Sequence, residues 1–547
     1  MERGTPIAGA ETLWSRRDFV RMGAMLTVGA SAASLLAACG GDSTSGGSSG
    51  DDSGGSASQT PATSESTPAS SSESSSSGDG VVLNVAVVEE PPSLEPHNLT
   101  AAAAGLIGNV VMPGLVWWDY DLGVSPQIAE KWETSADGTE WTFTLRDGVT
   151  FHNGKPCTAG EILRNFEHIK DPNSGSMLTP DFEDVEVSAP DDKTVVFTLT
   201  ESFAPFLAIL SHRVAMTDMD AYDGTKPIGT GPFKIVEWQR GSQIILERHE
   251  GYWEEGLPKA DRVNWKFMPD SDVRLTALRA GEVDITTSVP TQIIDQIKES
   301  GEFVVDPIPG VGEYYLAFNC AEGPFADVRM RKAVAHAIDK EAILEVALWG
   351  HGTITNVSFP PTSPWFVEIP DYEQDKDKAR ALVEEAGYGG GLELDMPIPN
   401  WSPSAEVAEI VQADLADIGI NVRLVEIEWA TYWPEIYLKS DFYITYMGYS
   451  ARIDPDQIFY PRFHSKGVHN ATRYSNPRVD ELIEQGRREI EEAKRKEIYA
   501  EVQRILVDEL PWLWLYLPDI TNGWAKNVVG FRQHPGDLLF LTEATKQ

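Results

Sequence analysis

The chain has 547 residues, 41% of them hydrophobic, which is more core than one ordinary domain holds and points to two or three globular units. Its 84 acidic residues against 44 basic ones leave a formal net charge of −40 and exclude a nucleic-acid partner, which would need basic patches. The three cysteines, Cys39, Cys157 and Cys320, fit no metal-ligand spacing, and Cys157 and Cys320 are expected as packed thiols rather than as a disulfide.

The chain opens with an export address. Arg16 and Arg17 precede an apolar segment, Met22–Ala38, that is shorter than the about 20 strongly apolar residues a bilayer span needs. It reads as the apolar region of a signal peptide over residues 1–38, similar to the twin-arginine type. Leu36-Ala37-Ala38-Cys39-Gly40 resembles a bacterial lipoprotein signal, which implies cleavage before Cys39 and lipid attachment to its thiol. Residues 39–80 are mostly Ser, Gly, Thr and acids, with no apolar face to bury, and read as a disordered tether. Gly46-Gly47-Ser48-Ser49-Gly50 has the spelling of a hydrolase nucleophile elbow but lacks the strand and helix that elbow requires.

The remainder alternates strands and helices, the pattern of an α/β fold. Val81–Val88 is rich in β-branched residues and predicts a strand; Pro91, Pro92 and Pro96 then force an extended loop that ends at His97 and Asn98. Helices are predicted over Ala101–Val111 and Thr158–Lys170, and strands over Glu140–Leu145 and Thr194–Thr200. Gly229-Thr230-Gly231-Pro232-Phe233 is not a phosphate loop, because it feeds the strands Lys234–Trp238 and Ile244–Arg248 rather than a helix N-terminus. Val263–Met268, Asp272–Ala280 and Val283–Ile285 continue as strand, helix and strand. The second half predicts strands over Tyr314–Asn319, Leu392–Pro397, Asn421–Glu428 and Trp512–Leu517. Its helices are predicted over Val328–Ile338, Asp375–Ala386, Ser404–Ile418, Pro477–Arg488 and Ala493–Glu509.

Tyr446–Phe459 follows the apolar run Phe442–Tyr446 and reads as a loop after a strand. Gly448 allows close backbone approach, and Arg452 stands among aromatics with Asp454 and Asp456 nearby. A guanidinium ringed by aromatic faces suits an anionic small molecule; the alternative is an internal ion pair with one of the two acids. Trp401, Trp429, Tyr432 and Tyr449 lie in or beside strand-end loops and are candidate cleft walls.

These segments resemble the family 5 extracellular solute-binding proteins, the dipeptide, oligopeptide and nickel-binding lipoproteins of ABC importers. The resemblance rests on Pro126–Glu133, Trp141–Asn153 (WTFTLRDGVTFHN), Gly229–Trp238 (GTGPFKIVEW), Gly281–Ile285 (GEVDI), Asp327-Val328-Arg329, Ala337–Lys340 and Glu385–Tyr388, in that order. It implies an α/β fold shaped as a two-lobed periplasmic-binding-protein-like clamp (type II, cluster C-like) with mixed β-sheets and a hinge. Lobe I would span 81–309 with a return over 511–547, and lobe II 310–510. It further implies a monomeric binding subunit without catalysis, cofactor or resident metal, which hands a small organic solute to a permease and ATPase complex. In the family the stretch around Arg452 contacts ligand, and peptide binders carry there an acid for the peptide amine. Arg452 in its place implies an anionic or amine-blocked ligand. The resemblance also puts His97 and Asn98 toward the cleft.

Rival readings are a nickel-chelate binder of the same family, a surface signalling or chaperone protein that keeps the fold without import, and a glycan hydrolase using Asp454 and Asp456 as acid and base. His464 and His469 fit no metal-ligand spacing.

Overall fold

A computed structural model describes residues 80–547 apart from Thr100, Ala101 and Ala451. The signal, Cys39 and the tether lie outside the described residues. Among the described residues no helix is long and apolar enough to cross a membrane.

The first strand, Val82–Val87, is central to a seven-stranded sheet. It pairs in parallel with Arg262–Phe267 on one side and Ile285–Thr286 on the other. Gln243–Arg248 and Phe233–Gln239 extend the first side; Gly523–Trp524 and Val304–Val305 complete the second. Leu83, Val85 and Val87 are fully buried against Ile107, Val110 and Val111 of the helix Ala102–Val111, which is why this β-branched run forms an interior strand. Gly231 is required where this helix ends. Its amide bonds to the Val111 carbonyl at 3.0 Å, and a Cβ there would lie 2.3 Å from the Val110 carbonyl oxygen. The glycines of Gly229–Phe233 therefore serve backbone approach and lead into a strand.

A separate antiparallel sheet has the order Ala129–Thr134, Glu140–Leu145, Thr194–Thr198, Glu186–Asp191. The edge strand Glu186–Asp191 was not anticipated from the sequence, because Pro190 interrupts its pattern; an edge tolerates that proline. Phe143, Phe166, Phe182, Phe197 and Phe206 form the core between this sheet and the helix Ala159–Lys170.

The second half is built on the strands Ile308–Pro309, Trp512–Ile520, Glu313–Phe318 and Ile444–Tyr449, with Gly352–Ile354 also pairing on Trp512–Ile520. Leu392–Pro399 and Ile420–Ile427 form a parallel pair joined by the helix Ser404–Asp417. The chain leaves the seven-stranded sheet after Val305, and it returns through Trp512–Ile520 to Gly523–Trp524. The result is a mixed α/β, two-lobed clamp. Cys157 and Cys320 are both free thiols, in different cores.

The strand predicted to end at Tyr446 runs to Tyr449, so the first four residues of Tyr446–Phe459 are sheet rather than loop. Backbone pairing with Glu313–Tyr315 extends it. The stretch closes in a helix, Asp456–Phe463. Only the segment between, which carries Arg452, is loop.

Candidate functional site

Five of the candidate side chains share one neighbourhood. Trp401 and Trp429 have ring centroids 4.7 Å apart. Trp429 meets Trp433 at 5.5 Å, Trp433 meets Tyr449 at 6.5 Å, and the Arg452 guanidinium lies 5.0 Å from the Tyr449 ring. An aromatic wall thus runs from Trp401 to Arg452. Trp433, its middle member, was not singled out from the sequence; its spacing four residues after Trp429 was the available signal. Trp429 is 41% exposed, whereas Tyr432 is fully buried beneath it, with its hydroxyl at 2.6 Å from Thr445 Oγ1 and 2.9 Å from the Tyr446 carbonyl. Tyr432 therefore supports the wall from within the core.

Arg452 is buried, with Nη1 donating to Ser450 Oγ at 2.9 Å. A second guanidinium, that of Arg462, lies 3.5 Å from the Tyr449 ring centroid. Both cations lie near Glu313, which accepts from Trp514 Nε1 at 2.8 Å. Burial raises the Glu313 carboxyl, and the two arginines oppose that rise. Cation–π stacking fixes guanidiniums in orientation.

The two neighbouring acids lie against other cations. Asp454 accepts a buried bidentate pair from Arg495, at 2.6 and 2.7 Å, and its Oδ1 also accepts from the Asp456 amide at 2.9 Å. Asp456 Oδ1 lies 3.3 Å from Arg487 Nε. Asp454, locked to a buried arginine, is a poor general base, which leaves no acid–base couple between the two acids.

Near these acids the two lobes touch. Ile453 sits among Trp117, Trp118, Leu122 and Ala208. Gln457 Nε2 donates to the Ala208 carbonyl at 3.4 Å, Ala204 N to the Arg487 carbonyl at 2.8 Å, and Ser202 Oγ to the Arg488 carbonyl at 2.7 Å. Asp537, on the C-terminal segment, is open to water, yet surrounding protein pushes its carboxyl up to about 6. It faces Tyr314, whose ring stacks on Tyr516 at 5.0 Å.

His97 and Asn98 lie elsewhere, within the first half. Asn98 ties its loop to residues 175–177, donating to the Gly175 carbonyl at 3.2 Å and accepting from Met177 N at 2.7 Å. His97 is buried beside His168 and Glu95. Neither contacts the aromatic wall.

Gly448 is a sharp test of this packing. A Cβ there would fall 2.3 Å from Tyr314 Cε1. Gly448→Val is expected to cost about 1–3 kcal/mol in urea unfolding; an unchanged midpoint would mean that Tyr314 is free to move.

A family model described as bacterial extracellular solute-binding proteins, family 5 middle, matches residues 123–470. The chain belongs to the family 5 extracellular solute-binding proteins. This solute-binding protein is thus extracytoplasmic and is a binding protein rather than an enzyme. Among its relatives is the glutathione-binding protein GsiB of Pectobacterium atrosepticum, 26% identical over 478 residues, which are 84% of this chain and 93% of that protein. The Helicobacter pylori periplasmic binding protein DppA, solved with the peptide STSA, superposes with a TM-score of 0.75 at 26% identity, covering 85% of this chain and 98% of that one. CtaP of Listeria monocytogenes gives 0.78 at 25% identity, with 86% and 99% coverage.

Proposed function

We propose that this solute-binding protein is the lipid-anchored capture subunit of an ABC importer, and that it encloses an anionic or amine-blocked, peptide-like solute by hinge closure. In this reading Cys39 carries the lipid and residues 39–80 form the leash. Lobe I, 81–309 with 511–547, and lobe II, 310–510, close as a monomer, and the closed form docks on the permease and its ATPase. The observation that carries the ligand class is the position of Arg452 at the end of the Trp401–Trp429–Trp433–Tyr449 wall. Binding of glutathione by the GsiB relatives supports it, because glutathione carries two carboxylates on a peptide-like frame. Binding of agropinic acid by AgaA, 26% identical, fits an acidic solute equally well.

The experiment is native mass spectrometry of the purified protein, followed by calorimetry with the acid that co-purifies. Arg452→Ala is expected to weaken that ligand at least about tenfold, the value of one lost charge-assisted contact. A free-amine dipeptide without further acidic groups in the cleft, or unchanged affinity in the variant, would overturn the anionic reading.

A further inference from the structure

Away from the cleft, three side chains of different segments converge on one point. Glu95 and His97 lie in the proline-bounded loop after the first strand, and His168 lies in the last turn of the helix Ala159–Lys170. Glu95 Oε1 is 4.0 Å from His97 Nδ1 and 4.0 Å from His168 Nε2. The carboxylate is aimed by its other oxygen, which accepts from the His97 amide at 3.0 Å. The two imidazole rings have centroids 5.2 Å apart, and one ligand atom from each of the three residues falls within 4.8 Å of the others. His97 is only 1% exposed, yet among the described residues neither of its ring nitrogens makes a hydrogen bond. The buried hydroxyl of Tyr222, beside Glu95, likewise lacks a partner there. A buried imidazole and a buried hydroxyl thus stand beside one carboxylate with unused hydrogen-bonding capacity.

We infer that Glu95, His97 and His168 form a binding site for a divalent late first-row transition metal, of which zinc is the natural probe. Metal–ligand bonds of about 2.0–2.2 Å set tetrahedral ligand separations of roughly 3.4 Å, so the three groups need to draw together by about 1 Å or less each. Two imidazoles and one carboxylate select zinc, nickel or copper over magnesium or calcium, which prefer all-oxygen shells. Asn165 and the Ala215 carbonyl stand next to the His97 ring, positioned to hold its second nitrogen and fix its orientation. His168 is 32% exposed, which gives the ion a path from solvent and a water ligand. The bound ion would cross-link the loop to the helix within one half of the molecule. No sequence motif shows this site, because the ligands come from a loop and a helix far apart in the chain.

The test is titration of the untagged, chelator-stripped full chain with Zn²⁺ against a chromogenic chelator, and with Co²⁺ by visible absorption. The expected result is one Zn²⁺ per chain, a Co²⁺ spectrum with nitrogen ligation, and a thermal midpoint raised by a few degrees with saturating Zn²⁺. His168→Gln, at a partly exposed position, is expected to fold normally and bind Zn²⁺ at least about tenfold more weakly. His97→Gln is expected to do the same, and His249→Gln, in the separate His152–His249 pair, to bind as wild type. Lack of stoichiometric Zn²⁺, or undiminished affinity in His168→Gln, would overturn the site.

Discussion

Asp454→Asn is expected to cost about 3–5 kcal/mol, the usual penalty for leaving one member of a buried ion pair without the other. Asp454 and Arg495 are each about 5% exposed and meet through two hydrogen bonds of 2.6 and 2.7 Å. Burial opposes the Arg495 charge, but the Asp454 carboxylate holds the guanidinium above its ordinary value. Removing the carboxylate leaves a desolvated cation with the Gly486 carbonyl, the aromatic faces of Trp365 and Tyr499, and the weaker influence of Asp456. Urea unfolding measures the loss, and Asp454→Asn with Arg495→Met should restore most of it, since the double variant buries no unpaired charge. If the single variant costs under about 1 kcal/mol, or if the losses simply add, the pair is not what pins the segment. The pair matters for ligand capture because it fixes the C-terminal anchor of the loop that carries Arg452.

The same contacts explain what the sequence could and could not convey. Helices such as Ser404–Asp417 and strands such as Glu140–Leu145 were legible because their burial pattern repeats locally. Trp401, Trp429, Tyr449 and Arg452 could be picked out as wall candidates because each lies in or beside a strand end. What periodicity cannot carry is the identity of distant partners. Nothing near Asp454 in the chain points to Arg495, 41 residues away, so a pairing of Arg452 with a neighbouring acid looked equally natural. Tyr432 follows a strand end as Trp429 does, yet three residues further on it turns inward to Thr445, while Trp429 stays at the surface. The strand end at Tyr449 was missed because Met447-Gly448 reads as a break, and only Tyr314, from the neighbouring strand, shows why glycine is needed there. Asp537 gave no signal, since its setting depends on a C-terminal loop meeting Tyr314 in three dimensions.

Asp456 gives the second large effect, one of pH. Its carboxyl is pushed up to about 7, first by burial, which the Arg487 charge opposes; Asp454 adds to the rise, Arg495 opposes it, and Asp181 adds a small further rise. An acid whose value is higher in the folded than in the unfolded chain binds more protons when folded. Its contribution therefore favours folding most at acid pH and falls away as pH rises from about 4 to about 7. A shift of about three units corresponds to about 4 kcal/mol as an upper bound, at about 1.4 kcal/mol per unit. Asp456→Asn keeps the shape and removes the titration. In urea unfolding across pH 5 to 8, the variant is expected to gain on the wild type steadily as pH rises to about 7, and to keep that gain above it. A constant difference across this range would mean that Asp456 stays ionised throughout, held by Arg487. Asp181 belongs to the first half and Asp456 to the second, and the Arg487 guanidinium lies 5.0 Å from the Phe203 ring across the seam. Contacts between the two halves therefore supply part of the burial that raises this carboxyl. Opening the lobes would rehydrate Asp456 and lower its value, so closure should take up a fraction of a proton near neutral pH, and solute affinity should be higher at pH 6 than at pH 8. Calorimetry in buffers of different ionisation enthalpy measures that uptake, and a proton count of zero at pH 7 would separate Asp456 from the closing motion.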